Sequence, residues 1–141
     1  MTLTYLRDQR HREIVAEIAR AKFPFPTDGH QDLETVVNEP TPRLSVGKDG
    51  NGKDLFPDIV VVGRPGQWLR LMAEVETADS VTDDHAQNEW LPYSRQGELL
   101  IYVPVGWAST ARQLCRKYGV KPAGIRTWRF RPVWGLDVTD A

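Results

Sequence analysis

The sequence predicts an α/β fold, a mixed sheet flanked by helices, and three observations predict it. Leu3 to Phe23 carries apolar residues at helical spacing. Phe56 to Thr77 contains two short apolar, partly β-branched runs around a turn, which is a hairpin pattern. Glu98 to Val105 is a continuous apolar run bounded by Gly97 and Gly106, followed by a second amphipathic helix pattern. Strand and helix patterns that alternate in this way call for a sheet with helices packed against it.

In the first helix, Leu6, Ile14, Ile18 and Ala21 form the expected apolar face, with Val15 beside it. Arg7, Arg10, Arg12 and Arg20 alternate with Asp8, Glu13 and Glu17, a pattern that suits a solvated face with Glu–Arg pairing. Phe23-Pro24-Phe25-Pro26 ends the helix, because Pro cannot continue it. The polar stretch Thr27 to Gly52 holds two short extended pieces, Glu34 to Val37 and Arg43 to Val46. The second is expected to be the first strand of a meander. Lys48 to Lys53 is a turn rather than a calcium loop, because no ligand series follows Asp49 and Asn51.

The hairpin strands are Ile59 to Val62 and Leu69 to Val75, joined through Gly63-Arg64-Pro65-Gly66. Thr82 is a good N-cap, with Asp83 and Asp84 in the first turn of a helix from His85 to about Gln96. Pro92 is expected to bend or end that helix near Leu91. Ser109 or Thr110 is expected to cap the next helix, which runs to about Tyr118 with Gly119 at its end. Its buried face includes Ala111, Leu114 and Cys115, so Cys115 reads as packing. Ile125 to Val133 reads as an edge strand whose Arg126, Arg129 and Arg131 lie outside the core. Arginines interleaved with aromatics there also suit nucleic-acid contact. The tail from Trp134 to Ala141 is expected to be only partly ordered.

At 141 residues, 40% hydrophobic and 26% charged, the chain is expected to form one domain, residues 1–141, with a real core. A net charge of −1 excludes a global attraction to nucleic acid, so any such surface must be local. The single Cys115 excludes an internal disulfide and a cysteine zinc cluster. No stretch reads as a signal peptide or a bilayer span, and the expected setting is cytoplasmic with no membrane partner.

The chemistry gathers at the hairpin. Asp58 enters the first strand where Glu74 and Glu76 leave the second. Antiparallel pairing puts those ends side by side, and alternation points Glu74 and Glu76 the same way. Three acids at one end of an apolar hairpin repel each other unless positive charge sits among them. A hard divalent cation with oxygen ligands resolves the repulsion. His11, His30 and His85 are not at metal spacing, and isolated histidines are usually neither bases nor ligands.

Pro57-Asp58, followed sixteen residues later by Glu74-Val75-Glu76, resembles the signature of the PD-(D/E)XK nucleases. That family includes restriction endonucleases, Holliday-junction resolvases and repair exonucleases. Its core is a helix, a three-strand meander, a second helix and a fourth strand. The resemblance implies a restriction-endonuclease-like core (αβββαβ) with one appended helix and strand, and it covers most of the chain. It implies a hydrolase that cuts phosphodiester bonds in DNA rather than RNA, as an endonuclease or exonuclease. Asp58 and Glu74 would bind Mg²⁺ or Mn²⁺, with the Val75 carbonyl as a further ligand. Glu76 replaces the usual catalytic Lys and would serve as general base or as ligand to a second ion. Lys48 or Lys53 could supply the missing positive charge. The first helix would add Glu17, or Glu13, to the metal set. Gln87, with Trp90 and Tyr93 after it, would stand at the start of the second core helix beside the site, although Trp90 reads first as cover for the sheet. At this size a DNA substrate implies a homodimer or a protein partner. The alternative is a catalytically inactive domain of the same fold, acting as a nucleic-acid-binding or protein-interaction module. Glu76 would then be a structural acid paired with an Arg of the last strand.

Overall fold

The computed structural model describes residues 3–131 and 135–141, with side chains from Asp8 onward and excepting Arg131. The expectations for Leu6, Arg7, the Arg131 side chain and Val133 lie outside the described residues, as does that for Trp134.

Helix α1 (Leu3–Lys22) is followed by strand β1 (Leu33–Val37). Strands β2 (Ile59–Gly63) and β3 (Trp68–Val75) form the expected hairpin. Three short helical segments come next, α2 (Asp83–His85), a π-helical turn (Ala86–Trp90) and α3 (Leu91–Ser94). They run without a break as one composite helix. Strand β4 (Leu99–Pro104), helix α4 (Ala108–Tyr118), and strands β5 (Gly124–Arg131) and β6 (Gly135–Asp140) complete the order. The six strands form one mixed sheet in the order β1-β2-β3-β4-β5-β6, so the fold is α/β. Strands β1 to β3 are antiparallel, β3–β4 and β4–β5 are parallel, and β5–β6 is antiparallel.

Strand alternation sends the apolar side chains to two cores. Ile14, Val15, Ile18, Ala19 and Phe23 of the α1 region pack on Ile59, Val61, Ala73, Val75 and Tyr102. Across the sheet, Trp90 and Tyr93 of the composite helix, with Ala111, Leu114 and Cys115 of α4, cover Met72, Leu99, Ile101 and Val103. Burial pushes the Cys115 thiol up to about 11, as expected of a packing residue. Thr82 caps α2 by accepting the His85 N–H at 3.3 Å, and Gly119 ends α4 in the left-handed conformation at φ 72°.

Six expectations are corrected. The first strand is Leu33–Val37, paired with β2, and Arg43 to Val46 is not a strand. The buried Asn38 side chain explains this. Its Oδ1 accepts from Arg43 and Leu44 N–H at 2.7 and 2.9 Å, and its Nδ2 donates to Leu44 O at 3.0 Å. The segment's backbone is thus satisfied without a ladder. On α1, Ala19 is buried and Ala21 is exposed. The helix face toward the sheet is turned away from Ala21 by the neighbouring pair Val15 and Ala19. Pro92 neither ends nor breaks its helix. The preceding π-helical turn, closed by Leu91 N–H to Ala86 O, widens the backbone just before the proline ring. Helix α4 starts one residue before Ser109, after Trp107, with no side-chain cap. The tail is strand β6, with Leu136 and Val138 packed at the α1 side. Strand β5 is therefore not an edge.

Among the described residues, no helix is long and apolar enough to cross a membrane.

Two variants test the corrected α1 face. Ile18→Ala removes a fully buried side chain and is expected to lower the unfolding free energy by about 2–5 kcal/mol. Ala21→Glu is expected to change it by no more than about 0.5 kcal/mol. Urea denaturation of both reads the result, and a large loss in Ala21→Glu would show that the face is wrongly placed.

Candidate active site

The end of the β2–β3 hairpin is built by reciprocal clasping. Asp58 N–H donates to Glu74 Oε1 at 2.9 Å, and Val75 N–H donates to Asp58 Oδ2 at 2.8 Å. The register explains the pairing. Ile59 faces Ala73, so the residue before Ile59 comes level with the residue after Ala73. Each acid therefore uses the other strand's end, where the ladder stops, as its hydrogen-bond donor. All three acids are buried: Asp58 is 6% exposed, Glu74 4% and Glu76 1%.

Glu76 is held from four sides. Its N–H donates to Tyr102 O at 2.8 Å, and its carbonyl accepts from Trp128 Nε1 at 3.0 Å. Its Oε1 accepts from Trp90 Nε1 at 3.1 Å. Its Oε2 lies 3.2 Å from His85 Nδ1. Trp90 thus covers the sheet, as expected, and also fixes the acid beneath it.

The three acids open onto a cavity of about 410 Å³. Asp8, Glu39, Asp79 and Glu89 also line it, which gives seven carboxylates. His11 and His85 are the basic groups of the lining, and no Lys or Arg lines it among the described residues. Helix α1 brings His11, whose Nε2 donates to Val75 O at 2.9 Å and lies 3.3 Å from Asp58 Oδ2. Its Nδ1 is 3.7 Å from Glu39 Oε1. The composite helix brings His85 and Glu89, four residues apart on one face, with His85 Nδ1 2.5 Å from Glu89 Oε2. Neither carboxylate gives that buried nitrogen an aligned hydrogen bond.

The electrostatics follow from crowding. Burial, then the charges of Asp58, Glu76 and Glu89, push Glu74 well above the usual carboxylate range. Burial and then Asp58 raise Glu39 as well. Burial tends to lower His11, but its hydrogen bond to Asp58 and the charges of Asp58 and Glu39 outweigh that and raise it to about 9. Glu76 and Glu89, working against burial, raise His85 to about 10.

The residues fit a divalent cation. Buried carboxylates converge on one open cavity, and two sets of three donors stand close together: His11, Glu39 and Asp58, and Glu76, His85 and Glu89. Within each set the ligand atoms lie within 4.8 Å of one another. His85 Nδ1 is in addition a buried polar atom with no hydrogen bond.

Asp58, Glu74, Val75 and Glu76 come together as the hairpin arithmetic requires. Glu17 does not join them. It lies on the outer side of α1 paired with Arg20, and Glu13 is exposed. One helical register places His11, and not Glu13 or Glu17, over the hairpin end. Gln87 is exposed and outside the cavity, because the helix turns His85 and Glu89 inward instead. Lys48 pairs with Asp54 at 2.8 Å, Lys53 is exposed, and neither lines the cavity. Arg126 and Arg129 pair with Asp140 and Asp137 of β6, so among the described side chains β5 offers no free arginine, and Glu76 has no Arg partner among its contacts. Sequence reasoning missed His11, Glu39, His85 and Glu89. The His85–Glu89 spacing was a usable signal; His11 and Glu39 reach the site only through tertiary packing.

No family model matches the chain, and neither a curated protein nor a solved structure matches it.

The raised groups fix the sign of a pH dependence. A histidine whose folded pKa exceeds the unfolded value of about 6.5 contributes stability that is complete below that pH. The contribution is lost as pH rises from there through about 9 for His11 and about 10 for His85. The raised Glu74 acts in the same direction, starting from the ordinary carboxylate range. In chelator, the urea midpoint is therefore expected to fall as pH rises from 6 to 9, and to fall less steeply in a His11→Gln/His85→Gln variant. A midpoint that climbs over this range would show that the protons are not held.

Proposed function

We propose that the chain is a divalent-metal-dependent nuclease that hydrolyses phosphodiester bonds in DNA. The observation that carries the reading is the clasp between Asp58 and Glu74, two buried acids opening onto one cavity. The order helix, three antiparallel strands, helix and parallel strand supports the resemblance to the PD-(D/E)XK core. The expected cytoplasmic setting and DNA partner belong to the same proposal.

Asp58 and Glu74 would hold Mg²⁺ or Mn²⁺. The Val75 carbonyl, which already accepts from His11, has a second lone pair for the ion. A bound ion of this kind supplies Lewis-acid charge to a phosphoryl oxygen and lowers the pKa of a coordinated water. The chain's own part is to hold the donors still. The Val75 N–H and His11 orient Asp58, and the Asp58 N–H orients Glu74. Glu76 cannot bring the positive charge of the usual Lys, and its burial under Trp90 leaves only Oε2 for chemistry. A lining without Lys or Arg repels a bare phosphate, so substrate binding at the cavity depends on the cation. A second copy or a partner protein would hold the flanking DNA.

A second reading, a catalytically inactive binding module, is favoured by one feature. The residue in place of the Lys is an acid buried between Trp90 and His85.

The expected result is cleavage of plasmid or single-stranded DNA with Mn²⁺ or Mg²⁺, none in chelator, and a loss of about a hundredfold or more in Asp58→Ala. Circular dichroism checks that the variant folds. Cleavage that survives Asp58→Ala or Glu74→Gln sinks the assignment. A wild type that binds Mn²⁺ at the hairpin and cuts no nucleic acid favours the inactive module.

A further inference from the structure

We propose that Glu76, His85 and Glu89 form a second cation site, separate from Asp58 and Glu74, that prefers a transition-metal ion to Mg²⁺.

The ligand atoms come from two rigid elements. Glu76 follows β3, and its N–H, carbonyl and Oε1 are all bonded to Tyr102, Trp128 and Trp90. Only Oε2 remains, and it faces His85 Nδ1 at 3.2 Å. His85 and Glu89 sit four residues apart on the composite helix, and Glu89 Oε2 is 2.5 Å from the same nitrogen. The π-helical turn starts at Ala86, between the two ligands, and such turns recur at functional sites. His85 Nδ1 is buried between the Glu76 and Glu89 carboxylates without an aligned hydrogen bond, so a cation can take the place of the proton there. Among the described residues, the three ligand atoms lie within 4.8 Å of one another, a spacing that one ion can bridge.

The donor set decides the metal class. Mg²⁺ is hard, needs oxygen ligands in octahedral array and gives up water reluctantly. Imidazole nitrogen suits Zn²⁺, Co²⁺ and other first-row ions, which also accept carboxylates. Metal binding releases the proton held on His85 between the two carboxylates, and two carboxylates and one neutral imidazole then balance a divalent charge. The open cavity leaves the remaining coordination positions to water.

The inference stands on this geometry and not on the nuclease reading. The experiment is a Co²⁺ titration of the full chain, followed by calorimetry and by the visible absorption of the ion, with Mg²⁺ titrated in parallel. The set comprises the wild type, His85→Gln, Glu89→Gln and Asp58→Asn. The expected result is a Co²⁺ site in the wild type that weakens at least about tenfold in His85→Gln and in Glu89→Gln. Its visible spectrum changes in His85→Gln, Mg²⁺ binding does not change there, and the site persists in Asp58→Asn. No Co²⁺ binding by the wild type overturns the proposal, as does equal Co²⁺ binding by the wild type and His85→Gln. If Co²⁺ binds only at a site that Asp58→Asn removes, the second site fails while the hairpin site stands. If the His85-dependent site persists and no ion binds at Asp58, the hairpin assignment fails and this one stands. His85 and Glu89 are each about one-third exposed, so their conservative variants are expected to fold, which circular dichroism checks.

Discussion

Asp58 and Glu74 hold each other's strand, and the rest of the structure is arranged around that exchange. The Asp58 N–H bonds the Glu74 carboxylate, and the Val75 N–H bonds the Asp58 carboxylate. Two backbone donors at the end of a ladder would otherwise need water or a loop. Carboxylates on the same two strands satisfy them and close the hairpin. The cost is two negative charges buried side by side, with Glu76 two residues on. Two helices bring groups that answer that charge: His11 from α1, and His85 and the Trp90 indole N–H from the composite helix.

Much of this was legible in the sequence, and what was not has a physical cause. The β2–β3 hairpin was legible because β-branched runs flank a Gly-Pro turn, and pairing then dictates which acids meet. Strand β4 was legible as an apolar run between glycines. The first strand was misplaced because Leu33–Val37 and Arg43 to Val46 carry similar local signals. The choice between them is made by Asn38, a single buried side chain that satisfies the competing backbone. Strand β6 alternates Leu136 and Val138 with Asp137 and Thr139, so its pattern was present. Its pairing with β5 also takes up Arg126 and Arg129, which had looked available on the surface.

The site was half legible for the same reason. Residues that meet through strand pairing follow from counting, as Asp58, Glu74 and Glu76 do. Residues brought by helix packing do not. At about 100° per residue Glu13 and Glu17 lie well round α1 from His11, and only the sheet beneath the helix selects which side faces the hairpin end. The composite helix shows the same limit. A proline at position 92 suggested an early stop, yet the π-helical turn before it keeps the helix going and keeps His85 and Glu89 over Glu76.

The choice of partners distinguishes a built site from a stability device. An acid buried only for structure is best answered by Arg, whose fork fills both carboxylate oxygens. Among the described residues, no Lys or Arg lines the cavity, although the chain has 18 of these residues. Asp58, Glu74 and Glu76 are held instead by N–H groups and by imidazoles. A neutral donor fixes one oxygen without cancelling the charge, so the second oxygen keeps its affinity for a cation. Imidazole can give up its proton to a competing cation and become a ligand itself, which a guanidinium cannot do. Burying charge in this form weakens the fold by itself, and the proposed divalent ion would offset that, because binding to the native state alone adds to its stability. The hairpin end therefore combines rigid donors with carboxylate oxygens that no Lys or Arg of the described lining takes up, and the proposed cation site rests on that combination.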